Sequence, residues 1–273
     1  MVKKLFKHEF ISYARIMGIV YLILFTVAAA GRIIQFFESD STAYSIVFTI
    51  TCITYVISAF AAMVFAFVLG IVRFYKNLFT AEGYLTLTLP VTPTQHILVK
   101  AVTAVSMQLI SYLMIGLSFC IITAGDMLSE IWKAGIYLLQ KLYEYTGIQG
   151  FVIGGEFAIL FIMGLFSGMM LYYTFISIGQ LARKNRILAA VGAYFAFYIL
   201  SQIVSTVLMV MLSILSATGA FDAFGTWLVN ALEQYPYRVI HCTLWISILL
   251  VAIGILVEFL ITRRIITKKL NLE

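Results

Sequence analysis

The chain has 273 residues, 63% of them hydrophobic and 11% charged, with a mean hydropathy of +1.04. A soluble domain is usually about 25% charged, and no soluble core hides this much apolar surface, so a soluble globular fold is excluded. The net charge of +6 fits basic cytoplasmic loops of a membrane protein better than a nucleic-acid-binding surface.

In chain order, Val2, Leu5, Phe6, Phe10, Tyr13 and Met17 recur at helical spacing, with Lys3, Lys4, Lys7, His8, Ser12 and Arg15 on the other face. This pattern predicts an amphipathic helix over 1–15 whose cations meet anionic headgroups; the simpler reading is that it begins the first span. No cleavable signal peptide is expected, because no small-residue cleavage site follows the first apolar run. Spans are predicted near 16–37, 44–72, 101–123, 157–182, 188–216 and 239–261, each long enough for a bilayer that needs ~20 residues. Between them, 126–145 reads as an interfacial helix carrying Leu128, Ile131, Trp132, Ile136, Leu139 and Leu142, and 222–237 contains a short re-entrant or interfacial helix. The fold class is all-α: a single polytopic transmembrane domain, 1–273, with six transmembrane helices and an N-terminal amphipathic helix.

Six spans with both termini inside put Lys3, Lys4, Lys7, Arg15, Arg73, Lys76, Lys100, Arg183, Lys184, Arg186, Arg263, Arg264, Lys268 and Lys269 on the cytoplasmic side, 14 of the 18 basic residues. Arg32, Lys133, Lys141 and Arg238 fall outside. The asymmetry predicts cytoplasmic N- and C-termini.

Chemistry-bearing motifs are scarce. The dipeptide Gly-Lys does not occur, so there is no GxxxxGK[ST] nucleotide loop, and HExxH and CxxC are absent. His8, His96 and His241 are scattered and read as surface residues, and no metal site is expected. Cys52, Cys120 and Cys242 read as packed thiols rather than a disulfide framework. Glu258, the acid placed inside a span, is expected to form a structural ion pair with Arg263 or to meet the headgroups; a proton relay is the other reading. Gly164 and Gly168 form a GxxxG pair that permits close helix packing. An intramembrane enzyme would need clustered His, Asp, Glu or Ser within the spans, and no such cluster is seen.

One stretch stands apart. Residues 74–95, FYKNLFTAEGYLTLTLPVTPTQ, hold Lys76, Glu82, Gly83, Pro90 and Pro93 between two uncharged runs. The second span continues as helix to Phe79, and Glu82-Gly83 breaks it. Tyr84 to Leu89 alternates apolar residues with Thr, and Pro90 stops regular structure. Thr92-Pro93-Thr94-Gln95 is predicted to start the next helix with a capping box. Tyr84, Leu85, Leu87 and Leu89 on such a loop mark a partner site or lie back on the membrane.

This block, RFYKNLFTAEGYLTLTLPVTP, resembles the loop between the second and third spans of permease subunits in bacterial ABC-2-type exporters of the Gram-positive kind, and the basic tail ending TKKLNLE is similar to theirs. The resemblance implies a non-enzymatic membrane subunit that pairs with a second permease, identical or related, while separate ATPase subunits bind ATP and Mg and drive export across the cytoplasmic membrane. It implies ATPase coupling through Glu82, Gly83, Tyr84, Leu85, Leu87 and Pro90, with the turn Arg183, Lys184 and Arg186 as a second cytoplasmic contact. The external loops lack a large receptor domain of the kind some relatives carry. The other reading from the sequence is a non-transporting membrane anchor or sensor that positions a soluble partner. The transported substrate is not readable.

Overall fold

The computed structural model describes residues 2–80, 83 and 91–268. Long apolar runs with few breakers make long helices. Eight are present among the described residues: α1 (Val2–Gln35), α2 (Thr42–Phe79), α3 (Pro93–Ile122), α4 (Asp126–Thr146), α5 (Ile148–Gly179), α6 (Arg186–Ala217), α7 (Asp222–Gln234) and α8 (Pro236–Lys268). There is no strand among the described residues. Six of them, all but α4 and α7, are long and apolar enough to cross a membrane. The chain is a multi-pass membrane protein, and its exposed Leu, Ile, Val and Phe side chains are the surface that lipid covers.

Every span is longer than the apolar run that announces it. The 34 residues of α1 extend about 51 Å at ~1.5 Å per residue, against a hydrocarbon core of about 30 Å. Residues 2–15 continue into the span without a break, so the separate surface helix expected there is instead the first turns of α1. Side-chain caps start α2 at Ser41 and α3 at Thr92, whereas α5 and α6 begin without a side-chain cap. The helix predicted over 126–145 from its periodicity is α4, and the short helix expected within 222–237 is α7, which takes up most of that segment.

The chain divides into two compact units, Met1–Tyr145 and Thr146–Glu273. In the first, α1, α2 and α3 pack together. Tyr13, Met17, Leu24, Ala28 and Gly31 lie along one face of α1. Ala62, Ala66, Gly70, Phe74 and Leu78 recur every four residues on α2, so small side chains let the backbones approach before large ones fill the end. Leu24, Ala28, Tyr55 and Ile122 form one apolar cluster with Val27, Ala59 and Ile115 against it. Gly31 lets the helices approach closely there; a Cβ would stand 2.8 Å from Ile122 Cδ1 and displace the end of that side chain.

Polar side chains cross this core in pairs. Tyr13 donates its hydroxyl to the Ala66 carbonyl. Tyr21 and Ser111 hydroxyls meet at 2.7 Å, Tyr55 and Ser118 at 3.0 Å, and Gln35 Nε2 donates to the Ile122 carbonyl at 2.9 Å. In hydrocarbon such groups have no water to turn to, so each finds a partner on a neighbouring helix.

In the second unit α5 packs on α8 and on α6. Met169, Met170, Tyr173 and Phe175 of α5 and Leu244, Ile248 and Ile265 of α8 are buried. Tyr172 stacks on Tyr194 at 5.3 Å between ring centroids, and Phe175 meets Tyr194 edge-on at 5.6 Å. At the tight turn between α5 and α6, Asn185 adopts a left-handed conformation (φ 52°), which Asn tolerates better than most residues.

Candidate functional site

The elbow 74–95 is built from its two flanking helices. α2 runs to Phe79, as predicted, and Phe74 and Phe79 pack edge-to-face at 5.6 Å. The Gly83 N–H then donates to the Thr80 carbonyl at 2.7 Å. A Cβ on Gly83 would lie 2.5 Å from the Leu78 carbonyl oxygen, so only glycine fits where the chain folds back on the helix end. On the far side, α3 begins with the predicted capping box. Thr92 Oγ1 accepts from the Gln95 N–H, Gln95 Oε1 accepts from the Thr92 N–H, and Pro93 occupies the first turn. Of the coupling residues named from the sequence, Gly83 is thus seen; Glu82, Tyr84, Leu85, Leu87 and Pro90 lie outside the described residues, as does Leu89.

At the two helix ends that flank the elbow sits an ion cluster. Glu9 of α1 receives Lys100 Nζ of α3 at 2.7 Å and Arg73 Nη2 of α2 at 3.1 Å. All three are largely buried, Lys100 with 6% of its side chain exposed and the other two with 13%. Arg73 Nη1 donates to Ser12 Oγ at 3.0 Å, and its guanidinium lies 5.5 Å from the centre of the Tyr13 ring. With its amide turned to satisfy both neighbours, Asn77 accepts from Lys100 Nζ at 3.1 Å and donates to the Arg73 carbonyl at 3.2 Å. His96, one turn before Lys100, is buried, with no partner for Nε2 among the described residues.

Chemically this is a clamp. One carboxylate neutralises one of two cations, and the remaining charge is spread over hydroxyl and amide acceptors. Glu9 ties α1 to the last turns of α2 and the first turns of α3, the two helix ends from which the elbow hangs. Sequence reading passed over Glu9. It placed Arg73 and Lys100 only by charge counting, and it put His96 on the surface, which its burial corrects. The available signal was the one acid, Glu9, in a strongly basic segment.

The other predicted residues are scattered. Arg183 and Lys184 are exposed in the turn after α5, and Arg186, half-buried, opens α6. Gly164 is exposed and Gly168 half-buried on α5; a Cβ at either would meet nothing within 4 Å, so their stripe packs on no described residue of this chain. The expected Glu258–Arg263 ion pair is not formed. Glu258 Oε2 is buried with no partner among the described residues, and its backbone carbonyl accepts from Thr174 Oγ1 at 3.1 Å, beside the Thr174–Thr262 hydroxyl pair at 3.0 Å. Successive side chains on α8 diverge around the helix, and the five-residue step from Glu258 does not bring Arg263 back to its face. Cys120 and Cys242 are exposed and Cys52 is half-buried, so two of the three thiols are not packed as expected.

A second polar contact joins α5 and α8. His241 Nδ1 lies 2.8 Å from Glu156 Oε2, and His241 Nε2 lies 3.0 Å from the Gln149 side-chain amide. The predicted span near 157–182 leaves Glu156 just outside it; Glu156 is in fact inside the helix and buried, because α5 begins at Ile148. No group of three metal-ligating side chains occurs among the described residues.

Compared with family models, curated proteins and solved structures, the chain matches none.

Proposed function

We propose that this chain is the permease subunit of an ATP-binding-cassette transporter of the ABC-2 type, exporting a substrate across the cytoplasmic membrane. The observation that carries the reading is the elbow 74–95 hung between two helix ends that Glu9, Arg73 and Lys100 lock to α1. A docking loop transmits work only if its roots are stiff. A merely solvated connector needs neither a capped exit, nor a glycine fitted against the Leu78 carbonyl, nor a buried ion cluster at its roots.

In this reading a separate ATPase subunit binds ATP and Mg, since the chain has no nucleotide loop of its own, and its movement is delivered to the elbow. The basic turn Arg183, Lys184 and Arg186 is a second contact on the same cytoplasmic side, where both termini also lie. A second permease completes the pore, with the open Gly164 and Gly168 stripe available to it. The transmembrane chain performs no catalysis.

The test is co-purification. The full chain, expressed with its genomic neighbours and isolated in mild detergent, is expected to retain an ATPase carrying a GxxxxGK[ST] loop. Replacing 84–89 with Gly and Ser should abolish retention while leaving the chain folded. Retention that survives the replacement removes the elbow as the docking site. In liposomes, ATP hydrolysis without any substrate stimulation would instead make the chain an anchor that positions a soluble partner.

A further inference from the structure

Of the six spans, α6 is the least covered, with Ala190 as its buried residue. It packs on α5 through Ala190, Tyr194 and Phe197. From Phe195 to Ala217 every residue is exposed. Three- and four-residue steps put Phe195, Tyr198, Gln202, Thr206, Met209 and Ser213 on one face, roughly a third of a turn round the helix from the face on α5.

Most of that face asks nothing of its surroundings. Thr206 Oγ1 donates to the Gln202 carbonyl and Ser213 Oγ to the Met209 carbonyl, both at 2.8 Å, so these hydroxyl protons are satisfied within the helix. Gln202 is different, because its side-chain amide has no hydrogen-bond partner among the described residues. Within the 32 residues of α6 it stands 16 after Arg186 and 15 before Ala217, and no charge follows Arg186 in the helix. At ~1.5 Å per residue both ends are more than ~20 Å away, so the amide lies near the middle of a hydrocarbon core about 30 Å thick. Lipid chains can cover its apolar neighbours but offer it neither donor nor acceptor. A group that satisfies Gln202 is therefore polar, at the same depth, and on another helix.

A carboxamide carries both an N–H donor and a C=O acceptor, so it is its own complement. A two-fold axis along the membrane normal would set two copies of α6 side by side in the same orientation, with each residue of the face opposite its own copy. Gln202 would then meet Gln202 at equal depth, each donating to the other. The Gly164 and Gly168 stripe of α5 permits close approach but requires no partner; the α6 amide does.

We infer that α6 is the seam between two copies of this chain, closed at mid-membrane by a reciprocal pair of Gln202 amide hydrogen bonds. The inference takes up the second permease of the proposed function and makes it a second copy; it rests on that pairing and not on ATPase docking.

The test uses the full chain in liposomes, with the native cysteines replaced by serine and no ATPase present. Gln202→Cys and Met209→Cys should form cross-linked dimers under mild oxidation. Leu200→Cys and Val207→Cys, on the opposite face of α6, should not. By energy transfer between fluorescently labelled copies, Gln202→Leu should raise the dimer dissociation constant about tenfold, and Gln202→Asn, which keeps the amide, should raise it less. Equal cross-linking on both faces, absence of a dimer, or an unchanged constant in Gln202→Leu overturns the inference. So does a Gln202→Cys chain that, expressed with its genomic neighbours, links to a different subunit in place of itself. The same co-expression separates the two readings. An ATPase retained without a Gln202 cross-link removes this seam and leaves the transporter; a cross-link without an ATPase does the reverse.

Discussion

Glu9 Oε1 and Lys100 Nζ meet at 2.7 Å although 91 positions separate them in the chain. Arg73 shares the same carboxylate at 3.1 Å. Removing the acid would leave two buried cations facing each other, and breaking a buried pair in this way costs about 3–5 kcal/mol. Glu9→Gln is therefore expected to lower the unfolding free energy of the detergent-solubilised chain by that order. Adding Lys100→Met should recover part of it, because the uncompensated charge goes with it. Additive losses in the double variant would mean the pair is not coupled.

Glycine positions on α5 should divide sharply. A Cβ at Gly179 would stand 2.5 Å from Ala190 Cβ and 2.6 Å from the Arg186 carbonyl oxygen. Gly179→Ala is expected to destabilise by about 1–3 kcal/mol, as overpacking does. Gly164→Ala and Gly168→Ala add a methyl to open space and should leave the thermal unfolding of the monomer unchanged. A drop in the dimer fraction for these two alone, read by cross-linking, would mark the stripe as an intermolecular face.

At the exit of the elbow, Thr92→Ala removes the side chain that accepts from the Gln95 N–H. An N-cap loss of this kind costs about 1 kcal/mol. Hydrogen exchange at the amides of Gln95 and His96 should quicken several-fold, and Thr92→Ser should restore protection. Unchanged exchange in Thr92→Ala would show that packing of α3, not the cap, holds its first turn.

Sidedness has a direct readout. Lys133→Cys in α4 should react with a membrane-impermeant maleimide on intact cells, in a background with the native cysteines replaced by serine. Lys184→Cys, in the turn before α6, should react only after permeabilisation. The reverse pattern would invert the topology drawn from basic-residue asymmetry and move the elbow out of the cytoplasm.

The spans were legible because an apolar run of twenty or more residues has one stable outcome in a bilayer, and the start of α3 was legible because Thr92, Pro93 and Gln95 carry their cap chemistry locally. The helix ends were less so. Apolar runs report where lipid is, whereas α1, α2 and α5 continue as helix beyond it. That is why the predicted span stops short of Glu156 although it lies inside α5 against His241. The clamp at the roots of the elbow was not legible at all. Glu9, Arg73 and Lys100 sit on three helices, and no periodicity within one helix says which face of another it meets. Glu258 was misread for a related reason: nearness in sequence to Arg263 is not nearness in space.

The Tyr and Gln bonds that cross the first unit govern how it can move. Tyr13 to Ala66, Tyr21 to Ser111, Tyr55 to Ser118 and Gln35 to Ile122 are spread along the length of α1, α2 and α3. Sliding one helix by a single residue, ~1.5 Å, would stretch every bond it makes past reach at the same moment. Shear is therefore an all-or-none event here, whereas rotation of the three helices together breaks none of these bonds. α1, α2 and α3 are thus tied to one another from Tyr13 near one end to Gln35 and Ile122 near the other, and any motion that keeps these bonds must carry the three helices together.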